Sequence, residues 1–271
     1  MNHNHLSIET IRSMLGNNPW SGNIQVFDEV ISTNTLLKEL AAKGIPHGTV
    51  IIADRQTGGR GRMGRQFLSP GGMGIYLSAL IRPNVAPGDL MHLTCAVACA
   101  MCDAVETVCG VRPGIKWTND LVFGTKKSGG ILTELGLDAK TGNVSYAILG
   151  IGINCCQTEE DFDPTIRNMA CSLKMATGQA ADRNVLAAEM IRALHRMNDM
   201  LLPEKASMLE RYRRDCITLG KQISVVRGDE IRHGTALDIN DSGALVVSYA
   251  DGTTGIVSSG EVSIRGLYGY V

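Results

Sequence analysis

The sequence predicts an α+β fold in two parts, a larger mixed unit followed by a small C-terminal β-barrel of the SH3 kind. Up to about residue 214, apolar runs of strand length alternate with stretches of helical periodicity. From Leu219 the texture changes to short alternating runs at 222–226, 231–239, 244–249 and 253–257, punctuated by RGD, NDSG and ADG turns. Evenly spaced short strands of this kind close into small barrels. A length of 271 residues also exceeds the usual single domain. No low-complexity linker separates the parts, so they are expected to pack directly on one another.

Residues 6–15 read as a short helix ended by Gly16, and NNPWSGN as a turn cluster. Residues 24–31 form a first strand. Ser32 then stands at the N-cap of a helix with Leu36, Leu37, Leu40 and Ala41 as its apolar stripe and Gly44 as its stop. The segment Ser32-Thr33-Asn34 therefore sits at a strand-to-helix junction. Backbone N–H groups there suit a polar or anionic ligand, and a plain helix cap suits the same residues. Residues 48–53 are a buried strand that runs straight into DRQTGGRGRMGR, and residues 74–82 form another. Residues 89–108 are apolar on nearly every face, which predicts a buried helix. Short strands at 115–117 and 121–123 lead through GTKK to a hairpin partner at 130–136. The long apolar run 144–153 ends at Asn154. Polar, proline-containing sequence then extends to about 179, with helices at 184–202 and 205–214.

The net charge of −1 supplies no general field for nucleic acid or anionic membrane, so anion binding must be local. No apolar run approaches the roughly 18 residues of a membrane span, and the N-terminus lacks a signal-peptide core. Eight cysteines without a secretion signal point to reduced thiols and a cytoplasmic location. His3 and His5 are read as inert.

The chemistry concentrates between Gly58 and Arg65, where four glycines and three arginines fall within eight residues. Glycine lets backbone approach a ligand closely, and arginine presents a fork of donors to carboxylate or phosphate. The run matches G-x-G-x-x-G, but a dinucleotide site needs a helix to begin on the glycines, and Pro70-Gly71-Gly72 excludes one of useful length. Walker A and protein-kinase loops lack their remaining elements. A flexible loop bearing arginines remains, able to fold over an anionic ligand or to stand as a solvated basic loop. Cys95, Cys99 and Cys102 follow one stripe of the apolar helix, which suits buried packing rather than an iron–sulfur cluster. The vicinal pair Cys155-Cys156 is read as inert. Lys116-Trp117-Thr118-Asn119-Asp120 sets a lysine between two short strands, Lys127 opens a basic hairpin, and Gly152 and Asn154 mark the end of a buried strand.

Taken in order, Ser32-Thr33-Asn34, Gln56 with Gly59-Arg60-Gly61-Arg62-Met63-Gly64-Arg65, Lys116-Trp117-Thr118-Asn119-Asp120, Lys127 through Leu132, and Gly150 through Asn154 resemble the biotin protein ligases. The match covers residues 22–154, and the C-terminal segment is similar to that family's small barrel. The resemblance implies a mixed-sheet catalytic domain, class II aminoacyl-tRNA-synthetase-like and flanked by helices, over 22–218. An SH3-like domain over 219–271 and an N-terminal extension over 1–21 complete the division. It implies ATP and biotin as substrates, Mg2+ accompanying ATP, and biotinyl-5′-AMP as the intermediate. A carboxylase's biotin carboxyl carrier domain would be the acceptor, and the enzyme a monomer or homodimer. Ser32, Thr33, Asn34 and Gln56 would hold the ureido ring. Arg60, Gly61 and Arg62 would close over biotin and phosphate, and Lys116 would contact the biotin carboxylate and α-phosphate, with Arg62 and Lys116 the catalytic pair. Arg65, Phe67, Asn119, Lys127, Gly152 and Asn154 would serve the nucleotide. No protein metal ligand is implied. Thr118 stands where the family usually has proline. About 20 residues precede the first strand, too few for the helix-turn-helix of the repressor members, so a short form without DNA binding is expected. Lipoate ligase or octanoyl transferase activity, and a non-catalytic biotin sensor, are the alternatives.

Overall fold

The computed structural model describes residues 5–258 and 263–266; His3 lies outside them. A seven-stranded sheet dominates. Its strands are β1 (Ile24–Val30), β2 (Val50–Gln56), β3 (Gly74–Ile81), β4 (Gly114–Lys116), β5 (Asp120–Phe123), β6 (Lys126–Leu137) and β7 (Val144–Asn154), in the order β1-β2-β3-β7-β6-β5-β4. β1 and β2 run parallel because α2 (Thr33–Ala42) crosses between them; every other pair is antiparallel. The sheet is mixed, as the sequence predicts.

Two-residue alternation divides its faces. On one face Ile75, Leu77, Ala79 and Ile81 of β3 and Leu149, Ile151 and Ile153 of β7 join the main core, with α1 (Ile8–Leu15), α3 (Leu93–Cys109), α5 (Arg183–Met200) and α6 (Lys205–Asp215). On the other, Leu37 and Ala41 of α2 cover Ile51, Leu80 and Ile148. Beside α2 this second face stays open, and the site lies there.

A five-stranded antiparallel sheet closes the chain, built from β8 (Gln222–Arg227), β9 (Glu230–Ile239), β10 (Leu245–Tyr249), β11 (Thr254–Val257) and β12 (Ser263–Gly266). It packs directly on the larger unit. The Trp117 indole Nε1 donates to the Gly243 carbonyl at 3.0 Å, and the Arg213 Nε donates to the Ile239 carbonyl at 2.9 Å.

Three elements differ from expectation. The apolar stretch 89–108 divides into a 3-10 turn (Pro87–Leu90) and α3, which starts only at Leu93. Pro87 and Gly88 favour the turn over a continuous helix. The polar run before residue 179 contains a short helix, α4 (Leu173–Thr177), capped by Ser172 and ended by Gly178 at φ 77°. β12 had no counterpart in the predicted strands, being only four residues long. Contrary to the expectation that no run approaches membrane-span length, Pro87–Cys109 is long and apolar enough to cross a membrane, but α3 within it is a core helix packed between α5 and the sheet.

Candidate active site

A cavity of about 730 Å³ opens beside the start of α2. Ser32, Thr33, Asn34, Gln56, Arg60, Gly61, Arg62, Arg65, Phe67, Lys116, Asn119, Lys127 and Gly152 all line it. The fold brings these dispersed segments together at the start of α2, the ends of β2 and β4, and along β6 and β7.

The Ser-Thr-Asn segment is a true cap, with Ser32 Oγ accepting from the Thr35 N–H at 3.4 Å. Thr33 donates to Gln56 Oε1 from its backbone N–H at 2.9 Å, and its hydroxyl lies 3.2 Å from the same oxygen and 2.7 Å from the Ser78 hydroxyl. Asn34 is more constrained than the sequence suggests. Its Nδ2 donates to the Leu132 carbonyl at 3.2 Å and to Glu134 Oε2 at 2.9 Å, while Oδ1 accepts from the Ser78 hydroxyl at 2.6 Å. Both amide hydrogens are thus engaged within the protein, and one lone pair on Oδ1 remains for a ligand.

Glycines shape the floor at two points on β7. A Cβ on Gly150 would lie 2.1 Å from Asn34 Oδ1, and one on Gly152 would lie 2.6 Å from the Phe67 ring. Phe67 therefore rests directly on the strand backbone, with Tyr76 edge-on at 6.4 Å.

The lid returns on itself as a hairpin. Gln56 and Ser69 pair across its base, the Phe67 N–H donates to the Gly59 carbonyl at 3.0 Å, and the Gly61 N–H donates to the Arg65 carbonyl at 2.7 Å. Its tip is a 3-10 turn (Arg62–Gly64) with Met63 at φ 56°. No α-helix begins on the glycines, in line with the rejected dinucleotide motif. Arg62 reaches inward and donates to Asn119 Oδ1 at 2.9 Å. Burial lowers its pKa, with the nearby Asp120 carboxylate opposing that shift.

Lys116 is only 6% exposed. Lys127 Nζ donates to Asp120 Oδ1 at 2.5 Å, and Asn119 Nδ2 holds the Ile131 carbonyl at 2.9 Å. The Trp117–Thr118 peptide, at the departure from the family pattern, is cis.

One expected residue is turned away. Asn154 does not line the cavity; its Nδ2 donates to the Cys171 carbonyl and its Oδ1 accepts from Gln157. The side chain fastens the end of β7 to the segment before α4. Cys95, Cys99, Cys102 and Cys155 are buried free thiols, and burial pushes Cys99 up to about 12. Cys156 is half-buried. Among the described residues no cluster of three or more His, Cys, Asp or Glu could hold a metal ion.

Sequence reading missed four contributors. Ser78 is fully buried under the cap, Ser69 braces the lid base, and Glu134 holds Asn34. Arg183, fully buried on α5, donates to Asp54 Oδ1 at 2.6 Å, and Asp54 in turn accepts from the Gly72 N–H. A charged residue in a helical stripe, 129 positions from its partner, gives no local signal.

Residues 26–154 match the biotin/lipoate A/B protein ligase family, and residues 218–265 match the biotin protein ligase C-terminal domain. The bifunctional ligase/repressor BirA of Bacillus spizizenii is 32% identical over 240 residues, spanning 88% of this chain and 73% of that protein. The chain belongs to the biotin protein ligase family. Within the ligase family, the biotin–[acetyl-CoA-carboxylase] ligase of Mycobacterium tuberculosis is 32% identical over 245 residues, spanning 88% of each chain. The biotin protein ligase of Aquifex aeolicus in complex with biotin and ATP superposes with a TM-score of 0.77 at 29% identity, covering 90% of this chain and 99% of that one. The fold expectation, a mixed catalytic sheet plus a small SH3-like barrel, holds.

Proposed function

We propose that the chain is an ATP-dependent biotin–protein ligase acting on the carrier domain of a biotin-dependent carboxylase. The observation that carries this reading is the convergence of the Ser-Thr-Asn cap, Gln56, the arginine lid and the buried Lys116 on one cavity with a glycine floor. Its volume lies in the range that small-molecule substrates occupy.

The first step joins the biotin carboxylate to the α-phosphate of ATP and expels pyrophosphate. The nucleophile is already an anion, so no general base is needed, and positioning with charge neutralisation does the catalysis. Ser32, Thr33 and Gln56 hold the ureido ring, with Asn34 contributing its remaining acceptor. Lys116 neutralises the carboxylate and α-phosphate, and Arg62, fixed by Asn119, covers the anhydride. Arg60, Gly61 and Arg65 complete a lid that is mobile when empty. Phe67 on Gly152 is the platform for adenine. Lys127 reaches the nucleotide with its charge balanced by Asp120. Mg2+ accompanying ATP would supply charge neutralisation at the phosphates, with no residue of this chain assigned as its ligand. In the second step a carrier lysine amine attacks the acyl carbon of the anhydride, forming the biotinyl amide and releasing AMP.

We assign the catalytic unit to 22–218 and the barrel to 219–271, of which 259–262 and 267–271 lie outside the described residues. We place the enzyme in the cytoplasm as a monomer or homodimer, without nucleic-acid or membrane partners. Incubating it with a carrier domain, MgATP and either biotin or lipoate tests the reading. Biotin alone is expected to support pyrophosphate release and carrier labelling. Labelling by lipoate instead, or biotin binding without pyrophosphate release, would overturn it.

A further inference from the structure

The cavity's recognition amide and its lid meet at a single buried hydroxyl. Ser69, 5% exposed, has one hydrogen, and it donates that hydrogen to the Phe67 carbonyl at 3.1 Å. Its oxygen must therefore accept, and it does so from Gln56 Nε2 at 3.0 Å. This fixes the Gln56 amide: the NH2 faces Ser69, and Oε1 faces the Thr33 backbone N–H. One N–H of Gln56 is left to point at an acceptor in the cavity. Thr33 continues the chain to Ser78, whose hydroxyl lies 2.7 Å from Thr33 Oγ1.

The packing leaves no slack in this arrangement. A Cβ on Gly59 would lie 2.4 Å from the Phe67 carbonyl, 2.7 Å from Ser69 Oγ and 3.2 Å from Gln56 Nε2, so all three groups crowd one glycine of the lid. The Phe67 carbonyl belongs to the same residue whose ring rests on Gly152. A ligand acceptor on the remaining Gln56 N–H would hold the amide in this orientation, and through it Ser69 and the peptide that carries Phe67.

We propose that Ser69 is a positioning residue that couples occupation of the ring pocket at Gln56 to seating of the lid residue Phe67 over the nucleotide. The inference rests on the biotin ligase reading above and adds to it a route by which the first substrate prepares the subsite of the second. It assigns Ser69 no contact with either substrate.

The test is a double-mutant cycle on Gln56→Ala and Ser69→Ala, read as the biotin Kd and the rate at which biotinyl-AMP leaves the enzyme. Ser69→Ala is expected to raise both by about tenfold, since it leaves a buried carbonyl and an amide hydrogen unmatched. Ser69→Thr keeps the hydroxyl and is expected to stay within about twofold of wild type. In the Gln56→Ala background, Ser69→Ala should change either quantity by less than about twofold, because the link is already cut. Multiplicative effects in the double variant would overturn the coupling, as would a Ser69→Thr enzyme as impaired as Ser69→Ala. Absence of biotin-dependent pyrophosphate release in the wild type would overturn the ligase reading, and this inference with it. Its presence alongside multiplicative effects would overturn this inference alone.

Discussion

Gly152 shows how one missing side chain sets the depth of the nucleotide subsite. Gly152→Ala would drive a methyl into the Phe67 ring, which can retreat only by lifting the lid or tilting into Tyr76. The expected outcome is a KM for ATP raised by about tenfold with the biotin Kd nearly unchanged. Steady-state kinetics beside calorimetric titration with biotin would check this; equal loss for both substrates would mean that Phe67 serves the ring pocket too. Arg62 makes a separate claim. With its guanidinium held by Asn119, Arg62→Gly should increase biotinyl-AMP escape by about tenfold or more. Unchanged retention in a filter assay would remove the covering role. The glycine and arginine pattern was legible in the sequence because those residue types have narrow uses. Ser69 and Ser78 were not, since a serine near a strand looks the same whether it faces solvent or braces an amide. Asn154 misled for the same reason: a polar residue at the end of an apolar strand can serve a ligand or the fold, and here the Cys171 carbonyl claims it.

At the level of elements, strands and helices followed from periodicity, while their ends followed from contacts that periodicity does not contain. β2 continues past the apolar run to Gln56, pairing Val30 with Gln56, and that extension carries Gln56 to the mouth of the cavity. Asp54 on the same strand, accepting from Arg183 and Gly72, ties the lid's approach to α5. Removing Arg183 would strand a partly buried carboxylate. Arg183→Met is therefore expected to lower stability by about 3 kcal/mol, measurable by urea unfolding. A change below about 1 kcal/mol would show that Asp54 finds water or another donor. The division between 3-10 turn and helix near residue 90 was likewise hidden, because Leu90 and Leu93 satisfy a continuous stripe as well as a broken one.

Over the whole molecule, the large sheet and the small one share a core, joined where α3, Trp117 and the turn at Gly243 meet. His92 lies at that junction, fully buried, with Nε2 on the Leu201 carbonyl at 2.8 Å and no partner for Nδ1. Nε2 therefore carries the hydrogen, and protonating Nδ1 would bury an unmatched donor. Burial holds the His92 pKa below its ordinary 6.5. The unfolded chain then binds the proton more readily, so stability is full above about pH 6.5 and declines as pH falls beneath it. His47, lowered chiefly by burial, pushes the same way. The melting temperature should fall between pH 6.5 and 5, and His92→Gln should flatten part of that slope; an identical slope would exclude His92 as its source. The two-part organisation was readable from the change of texture at Leu219. The shared core was not, because it depends on which faces of α3 and the barrel meet.

The burial of the cysteines has a practical side. Six of the eight thiols are enclosed, and only Cys109 and Cys156 are even half-open. Maleimide reagents should therefore find few native targets on the folded enzyme. Met63, at the tip of the lid and 59% exposed, is by contrast an open attachment point. A dye placed there through Met63→Cys, after Cys109 and Cys156 are changed to serine, would turn opening and closing of the lid into an optical signal.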